Sequence, residues 1–425
     1  MGSETEHVAM DRKGVYSLIG SVQNYDWGIS GASGSKVARL YEKNTGLVVE
    51  QEKKYAEFWM GTHPSGPSFV LREEGKVMLK EFIEENSCKV LGQKVFDTWG
   101  NDLPFLFKVL SVAKTLSIQA HPDKELATEL HKMHPNIYKD ANHKPEMAVA
   151  ISEFEALCGF VSTKELKVVL DCVPEIRELV GEVEVNKYME INEQCSFDEA
   201  KAHLQSIFTE LMSADKEIVS KFVLKLKNRL IEESKIRLLS EKEKLALLLE
   251  EQYPGDIGVL SSFFFNDVKL KPGEALYLDA NEPHAYISGE CIECMATSDN
   301  VVRAGLTSKY RDVETLCRML TYKQGCPDIL RGTPLSKYVL RYTPPFYEFE
   351  VDTISLPTGE SMQFDAISGP SIFVVTSGNG KLSENVEINE GSVFLLRANT
   401  ELIISAHSDG TLQLYRAGVN SKFLD

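Results

Sequence analysis

Residues 268–284, VKLKPGEALYLDANEPH, decide the fold because a related segment recurs as residues 386–402, VEINEGSVFLLRANTEL. At a constant offset of 118 the two segments share five identical residues, including the glycines Gly273 and Gly391. Each copy has the same order of a strand, a glycine turn, a second strand and a loop. Such a repeat predicts two small β-barrels of the jelly-roll type within one chain.

The two copies differ at their last residue, which is His284 in the first and Leu402 in the second. Histidine is a common metal ligand, whereas leucine cannot bind a metal. If the first barrel holds a metal through His284, the second barrel lacks that ligand. We therefore expect the C-terminal barrel to be metal-free and structural.

Between the barrel segments the pattern changes abruptly from strands to helices, over about residues 160–253. Three Ser-x-x-Glu capping boxes open apolar segments with helical spacing. These boxes are Ser162/Glu165, Ser196/Glu199 and Ser240/Glu243. Residues 14–151 instead alternate short apolar runs with Gly, Pro and Asn, which predicts strands and loops with one helix at 123–133. A further short helix is expected at 311–321, before a β-rich tail.

The predicted fold class is therefore mainly β, with two jelly-roll barrels and an α-helical block inserted into the first. Residues 1–157 and 257–335 are expected to form the two parts of the first barrel. Residues 158–256 form the inserted α-helical domain, and residues 336–425 form the C-terminal metal-free jelly-roll domain.

Composition narrows the classes of partner. The 425 residues carry a formal charge of −17, which argues against broad binding to nucleic acid or to an anionic membrane. No apolar run approaches the ~18 residues of a membrane span, and the polar N-terminus lacks a signal-peptide pattern. The eight cysteines are scattered, so we expect a reduced, cytoplasmic protein. Cys291 and Cys294 face opposite sides of a predicted strand, which disfavours a shared metal site.

Three segments bring metal-binding side chains together. In TLSIQAHPD (115–123), alternation puts Ser117, Gln119 and His121 on one strand face, although such a row is also typical of a solvated surface. In HKPEMAVAI (143–151), Lys144 and Glu146 share a face, and His284 follows a turn. Two histidines with one carboxylate suit Zn²⁺ and leave a position open, although glutamine is an unusual ligand.

Cationic residues occur in unusual places. Lys108 interrupts the apolar run PFLFKVLSV (104–112), so it either reaches the surface or faces a polar cavity. Arg303 and Lys309 follow the strand that carries Glu293. Together with Ser117 they could bind a phosphate, or they could simply pair with the abundant carboxylates.

Four segments closely resemble the type I mannose-6-phosphate isomerase family, and the resemblance covers essentially the whole chain. They are QNYDWG (23–28), SIQAHPDKELA (117–127), HKPEMAVAI (143–151) and ANEPHAYISGECIECMATSDNVVRAGLTSKYRDV (280–313). The resemblance implies a zinc-dependent, cupin-type aldose–ketose isomerase that interconverts D-mannose 6-phosphate and D-fructose 6-phosphate. It further implies a supply of mannose 6-phosphate for GDP-mannose and glycan synthesis.

The resemblance also implies residue roles. The implied ligands of one Zn²⁺ per chain are Gln119, His121, Glu146 and His284. Arg303 matches the family's catalytic arginine, and the positions lining the substrate cleft are Lys108, Ser117, Lys144, Glu293 and Lys309. We expect Arg303 to stabilise the developing oxyanion, with Glu293 as the candidate base and Lys144 or a zinc-bound hydroxide as alternatives. Lys309 and Ser117 are expected to bind the phosphate, and Lys108 is a further candidate.

Two alternatives belong to other functional classes. The same ligands could hold Fe²⁺ in a cupin oxygenase, or a non-catalytic bicupin could bind a sugar phosphate without converting it. Zinc content and oxygen consumption distinguish the oxygenase from the isomerase. Turnover of the sugar phosphate distinguishes the binding protein from the isomerase. The acidic surface and the absence of a coiled-coil pattern favour a monomer whose partner is a small sugar phosphate.

Overall fold

The computed structural model describes residues 11–12, 14–192, 195–408 and 410–424. Two large antiparallel sheets of ten strands each form most of its β-structure. The first sheet contains Ser21–Gln23, Glu57–Met60, Phe105–Val112, Ile118–Ala120, Glu146–Ala150, Phe154–Phe160, Phe265–Leu270, Ala275–Leu278, His284–Ala296 and Val302–Gly305. We call this part the catalytic barrel.

The second large sheet, with a smaller one, forms the C-terminal barrel. Its ten strands are Asp11–Arg12, Val15–Ile19, Phe69–Arg72, Gly75–Met78, Thr333–Ser336, Val339–Tyr342, Glu350–Leu356, Ser371–Ser377, Val393–Leu396 and Leu412–Gly418. The four-stranded sheet contains Ser361–Phe364, Asn379–Leu382, Val386–Asn389 and Leu402–Ala406. A short ribbon pairs Ile29–Ser30 with Lys54–Tyr55.

The backbone confirms the predicted repeat. Ala275–Leu278 and Val393–Leu396 are equivalent strands at the offset of 118. Matching residues have positive φ in both copies: 84° at Gly273, 86° at Gly391, 62° at Asn281 and 58° at Asn399. His284 and Leu402 each begin the strand that follows. Leu402 is buried in a hydrophobic cluster, so the position equivalent to His284 belongs to an apolar core.

The N-terminal segment contributes to both barrels. Val15–Ile19 pairs with Val393–Leu396 in the C-terminal barrel, whereas Ser21–Gln23 pairs with Glu57–Met60 in the catalytic barrel. The strand pairing therefore does not divide at residue 157, since residues 1–157 supply strands to both sheets. The domain boundaries themselves stay a prediction.

The inserted helical block is present as predicted. Its helices are Thr163–Cys172, Pro174–Val180, Glu182–Met189, Phe197–Ser213, Lys216–Glu233, Glu241–Gln252 and Ile257–Ser261. The three predicted serines all accept a backbone N–H at their helix starts, but only Ser240 and Glu243 form the full reciprocal capping box. The block and one end of the catalytic barrel share a single hydrophobic cluster.

The strand-and-loop prediction for residues 14–151 was incomplete. The expected helices occur as Lys124–Met133 and Val313–Met319, but four others were not predicted. The four are Lys36–Thr45, Leu79–Glu85, Ser87–Leu91 and Gln93–Trp99. Three of them have seven residues or fewer, and apolar runs of that length do not distinguish helix from strand. The helix Ser421–Leu424 ends the described part of the chain.

The strand His284–Ala296 organises the catalytic barrel because it pairs with four neighbouring strands along its 13 residues. At Gly289 φ is 105°, and a Cβ there would lie 2.3 Å from the Glu153 carbonyl oxygen. Cys291 and Cys294 pack into different hydrophobic clusters, which confirms that they face opposite sides. No helix within the described ranges is long and apolar enough to cross a membrane.

Candidate active site

Three side chains from separate segments meet inside the catalytic barrel: His121 directly follows the strand Ile118–Ala120, and Glu146 and His284 each begin a strand. The Glu146 Oε2 atom lies 3.5 Å from His121 Nε2 and 3.4 Å from His284 Nε2. Potential ligand atoms of the three residues all lie within 4.8 Å of one another, and all three residues are buried. The convergence that the sequence predicted from strand alternation is therefore present for these residues.

Backbone carbonyls orient both imidazoles. The Asn300 carbonyl lies 2.7 Å from His121 Nδ1, and the Glu282 carbonyl lies 3.0 Å from His284 Nδ1. Because a carbonyl only accepts, each Nδ1 carries the proton and each Nε2 presents a lone pair. Both Nε2 atoms are buried and have no hydrogen-bond partner among the described residues. Two orphaned lone pairs facing one carboxylate match the donor set of a Zn²⁺ site.

The protonation states also suit a metal. Burial lowers the pKa of His121 to about 4, although the neighbouring Glu146 carboxylate opposes the shift. Burial disfavours ionisation of Glu146, but the charge of Lys144 and contacts with His121 and His284 hold its pKa well below the usual range. Neutral imidazoles and an ionised carboxylate are the forms that bind a divalent cation.

Gln119 lies beside this trio. In the sheet its Cα is opposite His284 on one neighbouring strand and opposite Arg303 on the other. The Ser117 hydroxyl donates a 3.2 Å hydrogen bond to Gln119 Oε1, as expected if both point to the same face. Both side chains are partly exposed and line the cavity described below.

A polar cavity of about 480 Å³ opens next to the trio. Its lining includes every predicted cleft residue except Glu293, together with residues that the sequence analysis did not single out. The predicted ones are Lys108, Ser117, Gln119, Lys144, Arg303 and Lys309, and the others include Tyr25, Glu57, Trp59, His63 and Asp299. The cavity has the size expected of a small-molecule site.

Lys108 belongs to a buried charge cluster at the cavity wall. Its Nζ donates a 2.9 Å hydrogen bond to Glu293 Oε2 and lies 3.2 Å from Glu57 Oε2. Sheet register explains this, because Lys108 is opposite Glu293 on one side and opposite Trp59 on the other. The two carboxylates raise the pKa of Lys108 despite its burial, and burial raises the pKa of Glu293 although Lys108 opposes that shift.

Glu57 was missed although its signal was available. It begins the buried strand Glu57–Met60 and follows the buried Ala56, whereas Lys108 lies within its own apolar strand. The Trp59 indole N–H donates to Glu57 Oε2 at 2.6 Å. A charged residue within an apolar strand predicts a buried partner of opposite charge, and here two such strands are neighbours.

The two other cations have different surroundings. Arg303 is half-buried, and no carboxylate in the described ranges pairs with it. Burial lowers the pKa of Arg303, yet a guanidinium stays charged in proteins. Lys309 is exposed at the cavity edge. The alternative that Arg303 simply pairs with a carboxylate is therefore not supported.

Lys144 differs from both, because its Nζ lies 3.3 Å from Glu146 Oε1.

His63 and Asp299 form a second pair in the cavity. His63 Nε2 lies 3.3 Å from Asp299 Oδ1, and its Nδ1 accepts the Ser65 backbone N–H at 3.2 Å. This contact lowers the pKa of Asp299. The sequence placed His63 in an ordinary Pro/Gly loop, but the side chain is only 4% exposed. No local pattern connects positions 63 and 299, so this pair could not be predicted.

Comparisons with known proteins agree with this architecture. Residues 15–163 match the family model for the catalytic domain of type I phosphomannose isomerase, and residues 179–265 match its helical insertion domain. The chain is 56% identical to mannose-6-phosphate isomerase 2 of Arabidopsis thaliana, with 95% of this chain and 93% of that protein covered. It is 40% identical to the Homo sapiens mannose-6-phosphate isomerase, with 95% and 98% covered.

Solved structures give the same result. A phosphomannose isomerase variant from Salmonella typhimurium superposes with a TM-score of 0.82 at 29% identity, covering 96% of this chain and all of that one. A mannose 6-phosphate isomerase crystallised with zinc and yttrium gives a TM-score of 0.80 at 28% identity, with the same coverage. The matched models, the relatives and the site geometry lead to one conclusion: this chain belongs to the type I phosphomannose isomerase family.

Proposed function

We propose that the chain interconverts D-mannose 6-phosphate and D-fructose 6-phosphate, with one Zn²⁺ held by Gln119, His121, Glu146 and His284. The observation that carries this proposal is the pair of buried, unpartnered Nε2 atoms directed at Glu146. This group lies beside a cavity that Gln119, Lys144 and Arg303 line. Bound Zn²⁺ would supply a Lewis acid with a position open to the oxygens of the substrate.

Arg303 supports the isomerisation by charge. The reaction moves a proton between C1 and C2 of the open-chain sugar, and negative charge develops on the attached oxygens. Arg303 is opposite Gln119 in the sheet, and its guanidinium has no carboxylate partner in the described part of the chain. It can therefore direct its full positive charge to those oxygens.

Glu293 is our candidate for the base that removes the carbon-bound proton. Burial raises its pKa, and a carboxylate with a raised pKa is a stronger base than an exposed one. Lys108 donates a hydrogen bond to Glu293 and also pairs with Glu57, so Lys108 acts in this proposal by positioning Glu293. Lys144 remains the alternative base, since Lys144 lines the cavity whereas Glu293 does not.

Ser117 and Lys309 are our candidates for binding the phosphate. Both line the cavity, and neither side chain pairs with a carboxylate in the described ranges. An ammonium and a hydroxyl are suitable donors to phosphate oxygens. We further infer a monomeric cytoplasmic enzyme that supplies mannose 6-phosphate for GDP-mannose and glycan synthesis.

Replacing Lys309 by alanine is expected to raise KM for mannose 6-phosphate about tenfold with kcat within about twofold, because a charged hydrogen bond contributes roughly that much to binding. The preference for mannose 6-phosphate over unphosphorylated mannose should narrow by the same factor. Lys323→Ala is the matched control, because Lys323 is also exposed but does not line the cavity. If Lys309→Ala keeps the wild-type preference for mannose 6-phosphate over mannose, Lys309 does not bind the phosphate.

The activity is tested by incubating the purified protein with mannose 6-phosphate and measuring fructose 6-phosphate. Glucose 6-phosphate serves as the control, since it differs in configuration at C2. Oxygen uptake is recorded in the same samples, and uptake without isomerisation would favour the oxygenase alternative. Saturable binding of mannose 6-phosphate without any product would favour the binding-protein alternative.

A further inference from the structure

The loop of residues 306–309, which ends at Lys309, is attached to the helical insertion through Asp256. The Asp256 Oδ1 atom accepts the Leu306 backbone N–H at 2.7 Å, and Oδ2 accepts the Thr307 N–H at 3.4 Å. The same Oδ1 accepts the Gly258 N–H at 2.6 Å. One carboxylate thus joins the start of Ile257–Ser261 to the loop at the cavity edge.

The backbone at this junction is close-packed. A Cβ on Gly258 would lie 2.6 Å from the Leu306 nitrogen, and one on Gly305 would lie 2.7 Å from the Gly258 Cα. Leu306 has φ of 53°, a left-handed conformation that a branched side chain rarely adopts. A strained residue keeps such a conformation only when its surroundings hold it. The two hydrogen bonds to Asp256 and the burial of Leu306 in a hydrophobic cluster hold this loop.

The same segment of the insertion also contacts the other wall of the cavity. Thr115 N–H donates to Gln252 Oε1 at 2.9 Å, and the Tyr253 hydroxyl donates to the Thr115 carbonyl at 2.5 Å. Thr115 lies two residues before Ser117, which lines the cavity as Tyr253 does. Residues 252–258 therefore contact both the segment that leads to Ser117 and the loop that carries Lys309.

We infer that Asp256 is a positioning residue for the substrate phosphate: it holds the 306–309 loop so that Lys309 is directed into the cavity opposite Ser117. Asp256 itself does not line the cavity. This inference rests on the proposed function, and it gives the helical insertion a role in binding the sugar phosphate. Its loss affects binding of the phosphate group and leaves the reacting carbons and Arg303 in place.

The test compares Asp256→Ala with Asp256→Asn and with wild type, each folded and loaded with Zn²⁺. We expect Asp256→Ala to raise KM for mannose 6-phosphate about tenfold, with kcat within about twofold. The inhibition constant of inorganic phosphate should rise in parallel. Asp256→Asn keeps the Oδ1 acceptor and should restore KM to within about threefold of wild type.

Asp215→Ala is the matched control, because Asp215 caps the helix Lys216–Glu233 in the same insertion and lies outside the cavity. It should lower thermal stability without changing KM. If Asp256→Ala leaves both constants unchanged, or lowers kcat alone, Asp256 has no role in positioning the phosphate. If wild type itself fails to convert mannose 6-phosphate, the proposed function is wrong, which is a separate outcome. If Asp256→Ala does not fold, the inhibition constant of inorganic phosphate is measured on Asp256→Asn instead. Asp256→Asn loses the Oδ2 contact, so the inference predicts a measurable rise in this constant, and an unchanged constant would contradict it.

Discussion

Replacing Arg303 by alanine is expected to lower kcat for mannose 6-phosphate by about 10²–10³, the usual effect of removing one donor to a developing oxyanion. The reason is positional: Arg303 is opposite Gln119 in the sheet, half-buried, and without a carboxylate partner in the described ranges. Zinc content should stay at the wild-type value, because Arg303 is not among the proposed ligands. Steady-state kinetics and elemental analysis of the same preparation measure both quantities.

Arg303→Lys is the companion variant, since it keeps the positive charge but loses the planar pair of donors. We expect its kcat to lie between those of wild type and Arg303→Ala. An Arg303→Ala enzyme with wild-type kcat would give Arg303 a purely structural role. A loss of zinc together with activity would instead place Arg303 in the support of the metal site.

Replacing His121 by alanine is expected to abolish both zinc binding and turnover. The substitution removes one of two orphaned Nε2 atoms and leaves Glu146 Oε2 facing His284 alone. A mononuclear Zn²⁺ site needs three or four protein ligands, so losing a histidine should reduce zinc content to a small fraction of one per chain. Metal content and turnover are measured on protein purified in parallel with wild type.

His407→Ala is the control for a histidine removed elsewhere. His407 pairs with Glu387 in the C-terminal barrel, far in sequence from the trio, and its loss should leave zinc and activity unchanged. A His121→Ala variant that is active and metal-free would contradict the metal assignment. One that retains full zinc would show that the ion is held elsewhere.

Much of the site could be predicted because strand alternation is a local rule. It placed Lys144 and Glu146 on one face, and their side chains are 3.3 Å apart. It also placed Ser117 and Gln119 together, as their hydrogen bond shows. The sequence further placed His284 just after a turn, where the strand His284–Ala296 begins. These inferences needed only side-chain periodicity and the position of a turn, and both depend on a few consecutive residues.

Other features depend on contacts between distant segments, which one sequence does not encode locally. The pairing of Val15–Ile19 with Val393–Leu396 joins the two ends of the chain. The pair of His63 with Asp299 needs a loop to be folded back over the cavity. The attachment of the 306–309 loop to Asp256 likewise links two domains whose packing is not visible in either segment.

The most direct test of the account measures conversion of mannose 6-phosphate to fructose 6-phosphate in three states of one preparation. The states are the protein as purified, the protein after a chelator has removed its metal, and the stripped protein after Zn²⁺ is added back. We predict activity as purified, loss of activity on verified metal removal, and recovery with about one Zn²⁺ per chain. Full activity in verified metal-free protein would contradict the zinc site, and well-folded protein inactive in all three states would contradict the proposed function.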